Sequence, residues 1–232
     1  MISDKKLARI AGFCYLVVIA TGVFSEVFVR QTLKVSNDAL ATAHNIQTHE
    51  ILYRLGFVAD LINFVVGLPS VLIIYFLFKR VNKLLLQIAL AFVIIQTAII
   101  ALNLLNQISP LLVLSNETYL NTFLPNQLAT LSLLYLNLQV QGYAIGLVFF
   151  GFYCLSVGYV IFKSQMVPKF IGILYIISGL GYLISNFTMF LSKDFSNPVF
   201  TYVAIPIFIG ELSFCLWLLI KGVKSFDNNL TL

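Results

Sequence analysis

Three carboxylates lie inside otherwise apolar stretches of this 232-residue chain: Glu26, Asp60 and Glu211. An ionisable group inside a membrane span costs roughly 2.5–3.5 kcal/mol on insertion scales, so such groups mark places where something is bound, carried or paired. Glu50 and Arg54 stand at the start of the stretch that holds Asp60. They are four residues apart, the spacing of an ion pair on one helix face. Arg54 is also a candidate partner for Asp60, although a separation of six residues puts the two about 120° apart in helical phase. A carboxylate without a donor or cation at such a site holds a proton. Two burial-tuned carboxylates are also the usual equipment for acid–base chemistry.

Amides, hydroxyls and glycines accompany these charges at helical spacing. Gly56, Asp60, Asn63, Gly67 and Ser70 follow a 4-3-4-3 rhythm, which is one face of a helix. Tyr175, Ser178, Tyr182 and Ser185 do the same with Asn186 alongside, Tyr15, Gly22 and Glu26 share a face, and so do Gln96, Asn103 and Gln107. Stripes of this kind point into a helix bundle, because surfaces facing lipid are built from Leu, Ile, Val and Phe. They also serve as ordinary adhesive between membrane helices. The candidate ligand-binding set is therefore Glu26, Arg54, Asp60, Asn63, Asn103, Asn186 and Glu211.

The elements that must position these residues are six apolar stretches, at about 7–29, 51–78, 84–107, 139–162, 170–191 and 199–220. The chain is 60% hydrophobic and only 10% charged. Its mean hydropathy is +0.97. A soluble domain needs more charge to cover its surface, and a helix crosses the hydrocarbon with roughly 20 apolar residues. Backbone polar groups find no partners in lipid, so each stretch is expected to be helical. The fold class expected is all-α, a single membrane bundle of six helices over residues 1–232. The segment 127–137 is apolar enough to extend the fourth span or to lie at the interface.

Lys5, Lys6, Arg9, Lys79, Arg80, Lys83, Lys163, Lys169, Lys221 and Lys224 fall on one side of this topology, and Arg30, Lys34, Arg54 and Lys193 on the other. The excess of basic residues marks the cytoplasmic side, so both termini are expected there, in the cell membrane. The net charge of +5 then needs no nucleic acid partner, since the cations meet lipid headgroups. With a rise of 1.5 Å per residue, Asp60 lies ~28 Å above Lys79, Glu26 ~25 Å above Arg9, Asn186 ~25 Å above Lys169 and Asn103 ~30 Å above Lys83. These depths predict one polar layer toward the outer leaflet. Glu211, ~15 Å above Lys221, lies nearer the midplane, as the floor of that pocket or as a separate site.

Other chemistries find little support. The basic, apolar N-terminus resembles a signal peptide, but the apolar run continues past the small residues Ala20 and Gly22. Cys14, Cys154 and Cys215 lie inside spans without metal or redox spacing, so neither a disulfide nor a cofactor is expected. His44 and His49 are five apart, unlike the i, i+4 pair of a helical zinc site, and no metal is expected. No Ser-His-Asp constellation or Gly-rich phosphate loop is visible. Asn116 heads a formal glycosylation sequon, which has no meaning if the host is a bacterium.

Residues 7–12 (LARIAG), 50–61 (EILYRLGFVADL), 101–106 (ALNLLN), 142–151 (GYAIGLVFFG) and 172–183 (GILYIISGLGYL) occur in an order and spacing that resembles a bacterial integral membrane family catalogued as domain of unknown function 4386. The resemblance covers nearly the whole chain. It implies six membrane helices and no settled activity. Histidines common in that family are replaced here by Gln139 and Tyr153, so a family chemistry needing those imidazoles is absent or done differently. Three readings follow. A polar pocket toward the outer leaflet binds or moves a small molecule or ion. Alternatively, paired carboxylates such as Glu26 and Asp60 perform acid–base catalysis on a lipid substrate, or the bundle is a structural or sensory partner of another membrane protein.

Overall fold

The computed structural model describes residues 3–115 and 117–224; side chains at 193–198, 200 and 201 are outside the description, as is the Asn116 sequon. The described residues are helical, with six helices long and apolar enough to cross a membrane. Helix α1 (Asp4–Val23) continues through a π-helical stretch, Phe24–Arg30, into Gln31–Leu33. A short α2 (Ala39–Thr48) precedes α3 (Glu50–Phe78) and α4 (Lys83–Val113). A 3₁₀ turn, Thr118–Thr122, leads into α5 (Pro125–Ser164), followed by α6 (Lys169–Leu191) and α7 (Lys193–Leu216), which ends in a π-helical Trp217–Lys221.

Local chemistry sets the boundaries. Asn82 accepts the Leu85 N–H at 3.0 Å and caps α4. Asp38 does the same for α2 through the Ala41 N–H at 2.9 Å. The fourth span starts at Pro125 rather than near residue 139 and runs 40 residues without a break. Pro125 occupies the first helical position, where its missing N–H costs nothing. Gln127 reaches back to accept the Leu124 N–H at 2.9 Å, half of a capping box. The segment 127–137 is therefore the first part of this helix. The connection after the first span is also mostly helical, because the π-helical stretch carries the chain on to Leu33 and α2 fills much of the remainder.

The chain divides into two compact units. One comprises Met1–Val17, Val65–Thr97 and Ile145–Leu232, the other Val18–Phe64 and Ala98–Ala144. In the first, the Phe214 ring takes edge contacts from Tyr15, Phe78 and Tyr175, with centroids 6.4, 6.4 and 5.2 Å away. Offset and edge-on aromatic pairs of this kind add about 0.5–1.5 kcal/mol beyond the area they bury. In the same unit α5 and α6 meet through glycines seven residues apart on each helix, Gly151 and Gly158 on one and Gly172 and Gly179 on the other. A Cβ on Gly172 would lie 2.6 Å from the Phe162 amide nitrogen and 2.8 Å from the Gly158 carbonyl. A Cβ on Gly179 would lie 2.8 Å from the Gly151 carbonyl. Small residues at such a crossing bring two backbones together where no hydrophobic effect operates. The second unit packs Val29, Leu33, Ile46, Tyr53 and Leu136 into an apolar cluster.

On α3 the buried face runs through Tyr53, Gly56, Asp60, Ser70 and Ile74, while Leu61 and Leu68 are exposed to the surroundings of the bundle. Asn63 and Gly67 lie on the border of that face, half-buried. The 4-3 rhythm of small and polar residues thus marks the side of the helix that turns inward.

Candidate functional site

Two carboxylates of the second unit, Glu26 and Asp60, gather on Arg30. Its Nε donates to Glu26 Oε2 at 2.7 Å and its Nη1 to Asp60 Oδ2 at 2.6 Å. Nη1 also reaches Ser25 Oγ at 2.9 Å, and the Ser25 hydroxyl lies 2.5 Å from the same Asp60 oxygen and 3.1 Å from the Gly56 carbonyl. The π-helical turn makes this possible. Its backbone bonds run one residue longer than in an α-helix, with the Gln31 N–H on the Glu26 carbonyl. That register sets both Ser25 and Glu26 under the Arg30 side chain. Single π turns of this kind recur at functional sites.

Gln107 of α4 completes the shell, its Nε2 donating to Asp60 Oδ2 at 2.8 Å. The Tyr53 hydroxyl donates to the Gln107 backbone carbonyl. The Arg30 guanidinium also lies over the Tyr143 ring, 5.5 Å from its centroid, where the ring face favours a cation. The side chains of Asp60 and Arg30 are 1% and 9% exposed, against 47% for Glu26. The centre is thus a buried ion pair with a carboxylate at its rim. Three donors converge on Asp60 Oδ2, yet among the described residues Asp60 Oδ1 has no hydrogen-bond partner although it is buried, and neither has Gln107 Oε1. Just past the span, burial lowers the pKa of the Lys34 ammonium from the ordinary lysine value, against the opposing pull of Glu26.

The other candidate residues have different surroundings. Arg54 pairs with Glu50 at 2.6 Å, both well exposed, and takes no part in neutralising Asp60. A surface pair of this type is worth about 0–1 kcal/mol. Asn63 donates to the Val18 carbonyl at 2.6 Å and to Thr21 Oγ1 at 3.2 Å, tying α3 to α1. Asn103 donates to the Gln139 carbonyl at 2.7 Å and accepts from Asn106 at 2.9 Å. Gly142 is needed beside it, since a Cβ there would overlap the Asn103 amide. Asn186 belongs to the other unit and donates to the Tyr182 carbonyl of its own helix at 2.7 Å. Glu211 lies in that unit too, accepting from the Tyr182 hydroxyl.

Glu26 and Asp60 are therefore brought together, and the residue joining them is Arg30, one of the basic residues flanking the spans. A signal was available. Glu26 and Arg30 stand four apart, the same spacing that singled out Glu50 and Arg54. Gln107 was legible as a member of the inward face it shares with Gln96 and Asn103, whereas Ser25 is only a polar residue in an apolar run.

No solved structure matches this chain. An uncharacterised protein of Archaeoglobus fulgidus is 34% identical over 80 residues, which are 34% of this chain and 46% of that protein, so the chain spans less than half of this curated relative. The family model described as a domain of unknown function (DUF4386) matches residues 10–222. With six apolar helices and that match over most of its length, the chain is a multi-pass membrane protein and belongs to the DUF4386 family.

Proposed function

We propose that this protein binds or moves a small cation across or within the cell membrane, and that the Arg30–Asp60–Glu26 centre is where it does so. The observation that carries the reading is the unmet Asp60 Oδ1, a buried carboxylate oxygen with no donor among the described residues. Buried polar atoms in folded proteins nearly always have partners, so an orphan is a place where a ligand or water belongs. The other orphan in the same shell, Gln107 Oε1, is also an acceptor. Oxygen acceptors suit hard cations. Both orphans are acceptors and neither can donate, which favours a cation over an anion. Glu26 at the exposed rim is the entry group. The basic residues around the spans support an orientation with both termini cytoplasmic and this centre toward the outer leaflet.

The test is uptake by the purified full-length chain in lipid vesicles, with sodium, potassium and protons supplied separately. Wild-type vesicles are expected to exceed empty ones for one of these ions. Asp60→Asn should lower that uptake at least ~10-fold, a loss of about 1.4 kcal/mol in binding or barrier. Glu26→Gln, half-exposed and therefore mild for folding, should lower it as well. Uptake equal to that of empty vesicles for all three ions overturns the reading, as does full uptake in a folded Glu26→Gln protein.

A further inference from the structure

We propose that Glu211 is a second, proton-binding site of this protein, which takes up and releases a proton through the hydroxyl of Tyr182. This inference lies in the other compact unit and does not depend on the cation reading. Glu211 sits mid-way along the last apolar span, Tyr202–Lys221. Among the described residues it makes no ion pair, in contrast to Glu26, Glu50 and Asp60, each of which has an arginine. Its partners are hydroxyls. Tyr182 of α6 donates to Oε1, and the Tyr15 hydroxyl of α1 faces the same carboxylate. The Tyr15 hydroxyl is in turn 3.2 Å from that of Tyr175, which lies beside the buried Cys154 thiol of α5.

The remaining titratable groups facing Glu211 are Tyr153 of α5 and Cys215 of its own helix. None of the six carries a positive charge, so no group at the site among the described residues compensates an ionised carboxylate. A phenolic hydroxyl both donates and accepts. A proton can therefore pass between Glu211 and the Tyr182 hydroxyl, whose half-exposed side chain is the way out of the bundle, with each oxygen gaining one proton as it gives up another, while the buried Tyr15 and Tyr175 hydroxyls line the inner side of the carboxyl. A carboxyl held only by hydroxyls in an apolar span is the arrangement expected of a proton carrier, whereas a packing strut at this depth needs no ionisable group.

The experiment is infrared difference spectroscopy of the full-length protein in lipid vesicles, with pH stepped over the range in which it stays folded and with exchange into heavy water. The expected result is a carbonyl stretch of a protonated carboxyl that shifts in heavy water, is lost as pH rises, disappears in Glu211→Gln and persists in Asp60→Asn. Tyr182→Phe keeps the carboxyl and removes one donor, so the band should move in frequency; this variant decides the matter if Glu211→Gln does not fold. The proposal is overturned if the band is the same in wild type and Glu211→Gln, or untouched by Tyr182→Phe. It is also overturned if the band survives every pH and heavy water unchanged, because the proton is then trapped. Vesicles that take up no cation but retain this band would sink the cation reading and leave the proton site standing.

Discussion

Replacing Arg30 by methionine is expected to destabilise the protein by about 3–5 kcal/mol, the cost of leaving one member of a buried ion pair alone. Methionine fills much of the volume of the arginine stem, so the loss reports charge rather than a void. Asp60 would keep Ser25 and Gln107 as donors, and its only ion-pair partner among the described residues would be gone. Glu26 would lose its partner too, but at little cost, because it is half-exposed. The measurement is reversible unfolding in mixed detergent micelles. A second substitution, Asp60→Leu, should recover a large part of the loss, since removing both charges removes the uncompensated one. The coupling energy between the two sites should be about 1–3 kcal/mol. If the double variant loses the full sum of the single losses, the two groups do not act as a pair.

The second large effect is expected at the glycine crossing of α5 and α6. Gly172→Val should destabilise by at least about 1–3 kcal/mol, the usual range for forcing atoms into a filled interface. The atoms met by a new Cβ are backbone, the Phe162 nitrogen and the Gly158 carbonyl, so no side chain can rotate away. The helices must separate, and the second glycine pair, Gly151 with Gly179, separates with them. Gly172→Ala should show a smaller loss in the same direction, even though alanine is favoured over glycine in a helix interior by about 1 kcal/mol. A Gly172→Val protein as stable as wild type would mean that the crossing tolerates a wider spacing than the close approach implies.

Composition and period determined the class of this protein. A chain 60% hydrophobic, broken by short polar turns, has no stable form in lipid other than a set of helices. Helical phase determined which side of α3 turns inward, because a polar or small residue every three or four positions has one face only. The inward position of Asp60 was legible for that reason. The identity of its partner was not. Arg54 and Arg30 are both basic residues near the ends of apolar stretches, and nothing in their types separates them. A seven-residue π-helical stretch, Phe24–Arg30, decides the matter by extending α1 and turning Ser25, Glu26 and Arg30 to one side. That choice depends on the energy of the packed helices against one another, which no local pattern encodes. The same holds for Asn63, Asn103 and Asn186. The sequence marks each as a costly amide in an apolar span, while only the tertiary structure decides that each spends its donor on a backbone carbonyl.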